Sequence, residues 1–166
     1  MDKVPITAEE LRQLMHYEPE TGVFTWTKTV ARNVKAGAKI DPLRNHGHYV
    51  QTMIRKKPYY LHRLAWLYMY GVWPQGMIDH IDGNKCNNAL ANLRDVSRSV
   101  NGQNQKEAMS RNKIGLLGVS QVGARYRALI AGCDGKQIYL GTFDDPQKAS
   151  AVYINAKRQL HAGCTI

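Results

Sequence analysis

The sequence predicts an α+β protein in two parts: an N-terminal part of short helices and β-hairpins, and a small three-stranded antiparallel sheet with one packed helix. Three observations predict it. Helical spacing is confined to short, capped segments. Runs of alternating apolar and polar residues come in neighbouring pairs joined by turn residues, which suits hairpins rather than crossover-linked parallel strands. The last fifty residues repeat the logic on their own, as strand, tight turn, strand and amphipathic helix.

The first helix is legible from its cap. Thr7 and Glu10 form a capping box, and Leu11, Leu14 and Met15 follow at helical spacing. Glu18-Pro-Glu-Thr-Gly22 reads as a turn into a short strand, Val23 to Trp26, and the polar, basic stretch containing Gly37 and Pro42 reads as loop. Tyr49 to Ile54 alternates, Arg55-Lys56-Lys57-Pro58 turns, and Tyr59-Tyr60-Leu61 returns. A helix runs from Leu61 through Leu64, Ala65 and Tyr68 to a stop at Gly71.

Residues 77–81 form a further strand, broken by Asp82-Gly83-Asn84, and Asn92 to Val96 returns. Ser97 caps a short helix that ends near Gln105, and the patternless stretch 106–116 reads as a linker. Beyond it, residues 125–131 and 137–143 alternate on either side of Asp134-Gly135. Asp145 caps and Pro146 opens a helix carrying Ala149, Val152, Tyr153, Ala156 and Leu160 on one face, with Gly163 as its stop. The expected division is 1–105 (core from about residue 45), 106–116 as linker and 117–166 as a second domain.

Composition narrows the function. With 43% hydrophobic residues the chain of 166 is globular rather than disordered. The apolar stretch 61–73 is too short and too interrupted by His62 and Arg63 to span a bilayer, and the opening residues lack the apolar core of a signal peptide. Cys86, Cys133 and Cys164 are odd in number and include no C-x-x-C pair, which argues against a disulfide framework or a cysteine zinc site and for a reduced, cytoplasmic setting. The net charge is +10 and uneven: the surplus is +1 over residues 1–44, +6 over 45–116 and +3 over 117–166. Such a surplus points to a polyanion, above all nucleic acid.

The segment from Asp79 to Asn104, DHIDGNKCNNALANLRDVSRSVNGQN, concentrates the chemistry. Asp79 and His80 are adjacent on a strand, and the short helix about twenty residues later is expected to bring Asn101 towards them. A hard cation such as Mg²⁺ accepts carboxylate and amide oxygens, so Asp79 with Asn101 is a sensible ligand pair. A neutral His80 suits a base that takes a proton from attacking water.

The set Asp79-His80, Asn92-Leu93 and Asn101, with Asp82-Gly83-Asn84 in the loop, closely resembles the His-Asn-His (HNH, ββα-metal) nucleases, particularly their phage homing-endonuclease branch. Tyr49 to Ile54, Leu61-His62-Arg63-Leu64-Ala65-Trp66 and Tyr17 to Trp26 look like the elements that precede the motif there, so the resemblance covers nearly all of residues 7–105. It implies His80 as general base, Asp79 and Asn101 as ligands of one divalent cation, and Asn92 as the residue that braces the hairpin and orients His80. It also implies 5′-phosphate and 3′-hydroxyl products. Asn101 stands where many members carry a final histidine, which favours Mg²⁺ or Mn²⁺ over zinc. Arg55, Lys56, Lys57, Arg63, Arg94 and Arg98 are candidate DNA contacts of this part.

In the C-terminal sheet, alternation sorts Tyr126, Ala128, Ile130, Ile138 and Leu140 to the helix-covered face, leaving Arg125, Arg127, Gln137 and Tyr139 on the open face, with Leu129. Arginine and glutamine on a twisted sheet suit the DNA major groove. Gly118-Val119, Arg125-Tyr126-Arg127-Ala128, Gly135-Lys136, Leu140-Gly141-Thr142-Phe143-Asp144 and the Ala149-to-Ala156 helix resemble the plant APETALA-type (ethylene-response-factor) DNA-binding domain. Leu117 and Ser120 stand where those domains carry arginine, so the reading face is less basic.

The expectation is therefore a metal-dependent endonuclease acting on double-stranded DNA, monomeric or a weak dimer, with no membrane or obligate protein partner. If phage-encoded, it works in the cytoplasm of a bacterial host. The competing expectation is a DNA-binding regulator that keeps the fold without cutting.

Overall fold

A computed structural model of the chain describes residues 5–40, 48–132 and 134–165. Pro42 and Cys133, both weighed in the sequence, lie outside the described residues. The protein is α+β, built of small antiparallel sheets and four helices among the described residues. Its contacts define two compact units, Met1–Val96 and Ser97–Ile166.

The first unit opens with α1 (Ala8–Leu14), whose capping box is present in both directions: Thr7 accepts from the Glu10 amide and Glu10 accepts from the Thr7 amide. The helix stops one residue short of the expected Met15. That residue is instead extended and fully buried as the first position of β1 (Met15–Glu18), which pairs with β2 (Val23–Trp26). Its apolar spacing serves the core through a strand, where Met15 and Tyr17 point inward and His16 and Glu18 outward.

The next hairpin joins β3 (Gln51–Ile54) to β4 (Lys57–Tyr60) through two residues, Arg55 and Lys56, at φ +51° and +63°. The turn is tighter than the four residues expected, and Lys57 and Pro58 belong to the returning strand. Helix α2 (Leu61–Tyr70) follows directly and ends where predicted, on Gly71 at φ +77°, whose amide bonds to Leu67 O. Leu61, Leu64, Ala65 and Leu67 of α2 enter the same core as Leu11, Met15, Tyr17 and Phe24. Trp66, Tyr68 and Trp73 pack against this core, whereas Tyr70 stands 54% exposed.

The unit closes with β5 (Met77–His80) paired to β6 (Leu93–Val96), in a register that sets Asp79 opposite Arg94 and His80 opposite Leu93. Ile78 and Leu93 anchor the pair in the core. A single 3-10 turn, Leu90–Asn92, replaces the first residue of the expected return strand.

The second unit begins with α3 (Arg98–Gln103), capped by Ser97, which accepts from the Val100 amide. Residues 106–116 form neither helix nor strand, yet Ile114 and Leu116 pack on the core of this unit. The Asn112 amide bonds the carbonyls of Leu116 and Val119. The sheet has the order β7 (Val119–Val122), β8 (Arg125–Ala131), β9 (Gln137–Phe143), and α4 (Pro146–Leu160) lies over it with Asp145 as cap.

The expected alternation holds through β8 and over the start of β9, where Leu140 packs on the core of this unit while Gln137 and Tyr139 stand exposed. A bulge between Ala128 and Leu129 of the β8–β9 pairing shifts the phase, so that Gly141 and Phe143 oppose Ala128 and Tyr126. Ile138, assigned to the core by alternation, is 40% exposed, because β9 is an edge strand that α4 covers less fully than β8. Helix α4 ends at Leu160, with His161 rather than Gly163 at its cap; Gly163 is packed against α3, where a Cβ would lie 2.2 Å from Val100 O. Lys157 is 2% exposed, its ammonium bound to Gln105 O.

Candidate active site

Strand β5 delivers Asp79 and His80 together. Both are buried, at 6% and 4% exposure, although neighbours on a strand point to opposite faces. The register with β6 explains the first: Arg94, directly across from Asp79, closes on its carboxylate, with Nε 2.8 Å and Nη2 2.7 Å from Oδ2. The second faces a nest of rings, with His62 at 5.3 Å and Tyr49 at 5.8 Å between centroids.

Burial lowers the His80 pKa, opposed by its hydrogen bond to Asn88 and by the charges of Asp82 and Asp79. The imidazole is thus neutral at physiological pH, the form that takes up a proton. His62 is lowered further, to about 3, chiefly by burial and then by His80 and Arg63. It is a packed core histidine, and its Nδ1 is buried without a hydrogen-bond partner among the described residues.

The loop between the strands is knotted by asparagines. Asn92 accepts from the Asp82 amide at 2.9 Å and donates to Asp82 Oδ1 at 2.9 Å and to Asn87 O at 2.9 Å. Asp82 also accepts from the Asn84 amide and from Asn87 Nδ2. Burial pulls the Asp82 pKa up, but those three hydrogen bonds, from Asn87, Asn84 and Asn92, outweigh it and hold the group below the usual carboxylate range. Asn92 therefore braces the loop. Asn88, 2% exposed, reaches the imidazole, with Oδ1 3.2 Å from His80 Nε2. Sequence reasoning passed over Asn88, which nothing in the loop 81–92 sets apart from Asn87.

The remaining predicted residues fall in two places. In the first unit, Arg55 and Lys56 are exposed at the β3–β4 tip, where Arg55 pairs with Glu10 at 2.7 Å; Lys57 opens β4. Arg63 on α2 lies over the Trp73 ring and donates to Gly76 O. In the second unit, Asn101 and the exposed Arg98 lie on α3, and Asn104 at its C-cap is buried and bonded to the Thr165 hydroxyl. Arg125, Arg127, Gln137 and Tyr139 are all exposed; Arg125 pairs with Asp144 at 2.7 Å, and the Tyr139 hydroxyl meets Thr142 Oγ1.

Among the described residues no group of three or more His, Cys, Asp or Glu side chains is placed to hold a metal ion. The donor chemistry at Asp79 nevertheless fits a hard cation, since a buried carboxylate beside a neutral imidazole supplies oxygen rather than sulfur. Arg94 would have to share Oδ2 with it.

Comparison with protein families adds one finding. Residues 59–103 match the family model described as HNH endonuclease, a stretch that runs from β4 through α2, β5 and β6 to the end of α3. It covers somewhat over a quarter of the chain and contains Asp79, His80, Asn88, Asn92 and Asn101. The match supports a nuclease-type DNA endonuclease domain. No curated protein and no solved structure gives a significant match. Among the described residues no helix is long and apolar enough to cross a membrane.

Proposed function

We propose that the protein is a metal-dependent endonuclease that hydrolyses phosphodiester bonds of double-stranded DNA. The observation that carries this reading is the buried, neutral His80 beside Asp79 inside the stretch that matches the HNH endonuclease model. In the proposed mechanism His80 takes a proton from the attacking water, which a neutral imidazole does and a protonated one does not. Asp79 and Asn101 would hold one divalent cation, Mg²⁺ or Mn²⁺. When bound, such a cation supplies charge stabilisation at the phosphoryl and departing 3′-oxygens. Asn92 keeps the loop from Asp82 to Leu90 closed under the base, and Arg94 balances the Asp79 charge. Products would carry 5′-phosphate and 3′-hydroxyl ends.

Functionally the division would be a cutting part over 1–105, a connection over 106–116, and an APETALA-type DNA-binding part over 117–166. The Arg125, Arg127, Gln137 and Tyr139 face would grip DNA there, with Arg55, Lys56, Lys57, Arg63 and Arg98 touching phosphate from the first part and α3. Contacts of this kind supply the placement that a backbone-directed site lacks. Homing-type cleavage by a phage enzyme, working as a monomer or weak dimer in a bacterial cytoplasm, is the setting that fits this reading.

One observation favours the rival, a regulator that binds without cutting: the Arg94 guanidinium on Asp79 occupies an oxygen that a cation needs. The test incubates supercoiled plasmid and phage genomic DNA with the wild type and His80→Ala, in Mg²⁺ and in EDTA. Nicking that needs the cation and is lost in the variant supports the enzyme; binding of all DNAs without scission supports the regulator.

A further inference from the structure

The β1–β2 hairpin lies outside the family-matched stretch, yet the first unit ties it to the candidate base. Tyr17, 1% exposed on β1, donates its hydroxyl to Asn88 O at 2.7 Å. The turn beyond it meets the same loop twice. Leu90 donates its amide to Pro19 O at 2.8 Å, and Gly22 comes so close that a Cβ there would sit 2.2 Å from the Asn88 carbonyl carbon. Gly22 is at φ +73°, so both its backbone and its missing side chain are required for this approach.

Asn88 is held at both ends. Its carbonyl is fixed by Tyr17, and its side-chain Nδ2 donates to Cys86 O at 3.4 Å. With the amide nitrogen turned to that carbonyl, the group facing His80 Nε2 at 3.2 Å is the amide oxygen, which only accepts. Nε2 must therefore carry the hydrogen, and the basic lone pair belongs to Nδ1. An aromatic hydroxyl on β1, an asparagine backbone and an asparagine oxygen thus form a continuous line to the imidazole.

We propose that Asn88 is a positioning residue that fixes the His80 tautomer with the proton on Nε2, and that the β1–β2 hairpin, through Tyr17 and Gly22, is the buttress that holds Asn88 in place. The role in cutting rests on the nuclease reading above; the tautomer does not. The hairpin is then part of the active site in all but sequence position, and residues 59–103 by themselves lack a support the base needs. Supports of this outer kind typically change activity about 10- to 100-fold when removed.

The test uses the full chain with ring-¹⁵N-labelled histidine, at mildly alkaline pH, with His80 signals assigned by their loss in His80→Ala. The wild type should show the Nε2–H form of His80. Asn88→Ala should mix the two tautomers, and Tyr17→Phe, which leaves every side chain around the imidazole in place, should shift the same signals in the same direction by less. In nicking assays both variants should lower kcat about 10- to 100-fold with KM nearly unchanged. An unaltered His80 spectrum in a folded Asn88→Ala protein would overturn the role of Asn88. An unaltered spectrum in Tyr17→Phe would overturn that of the hairpin, and this milder variant keeps the question open to test if Asn88→Ala does not fold. Spectra that respond as stated in a protein that cuts no DNA would uphold the positioning inference while removing the nuclease reading; nicking with unresponsive spectra would do the reverse.

Discussion

The β5–β6 hairpin and the β7–β9 sheet each carry arginine beside a carboxylate, and they hold it in opposite ways. On β6, Arg94 is three-quarters buried and closes on Asp79, itself 7% exposed at the side chain. On β8, Arg125 pairs with Asp144 at the same 2.7 Å, but the two side chains are 54% and 87% exposed. The first pair exists because two charges taken out of water must answer each other, and breaking one side leaves the other stranded. The second gains little in water and exchanges readily for another anion such as phosphate. A site that does chemistry needs groups fixed within fractions of an ångström, while a surface that grips a polyanion needs charge that is free to move onto it.

The two regions should differ most at His80. His80→Ala should lower metal-dependent nicking about 10²- to 10⁴-fold, the usual contribution of a positioned base. Its DNA affinity should stay within about twofold, because a neutral imidazole adds little to binding a polyanion. Matched loss of nicking and affinity would deny the contrast between a fixed site and a gripping surface.

Next in size is the loop brace. Asn92→Ala removes three hydrogen bonds and leaves the Asp82 amide and Asn87 carbonyl without those partners, so thermal unfolding should show a loss of about 2–4 kcal/mol. The corresponding change in the second unit, Arg125→Ala, should cost less than about 0.5 kcal/mol. Equal costs would mean that burial does not separate the two regions.

Acid should act on the first region in particular. The His62 pKa is about 3 in the folded chain, below its value near 6.5 when unfolded, so the unfolded state binds more protons between those values. Stability is therefore full above about pH 6.5 and declines as pH falls towards 3. His62→Phe should flatten that decline in a pH series of denaturation midpoints; an unchanged series would show that His62 titrates freely.

The smallest effect is expected at the sheet. Replacing Arg125 and Arg127 together by Ala should weaken DNA binding and reduce the slope of log K against log salt by about 2, one for each phosphate no longer neutralised. An unchanged slope would remove this face from the interface.

How much of this was legible in the sequence follows the range of the forces involved. The caps at Thr7, Ser97 and Asp145, the stop at Gly71 and the strand at Asp79-His80 were all readable, because each depends on neighbours within a few residues. Met15 was misplaced because apolar spacing across a helix–strand junction satisfies both periods for a residue or two. Beyond Leu140 a bulge shifts the β9 phase, which alternation cannot register. Asn88 was missed for a different reason: its meaning comes from Tyr17, 71 positions away, and nothing in the loop itself distinguishes it from Asn87. The burial of Lys157 likewise goes with a distant partner, the Gln105 carbonyl.

The most direct test of the account is to score binding and scission together on supercoiled DNA, in Mg²⁺, Mn²⁺ and EDTA, and to determine the ends produced. Bound DNA is expected in all three conditions, with nicked circles bearing 5′-phosphate and 3′-hydroxyl ends in Mg²⁺ or Mn²⁺ and intact circles in EDTA. DNA that is bound throughout and cut in none, or cut equally in EDTA, would contradict it.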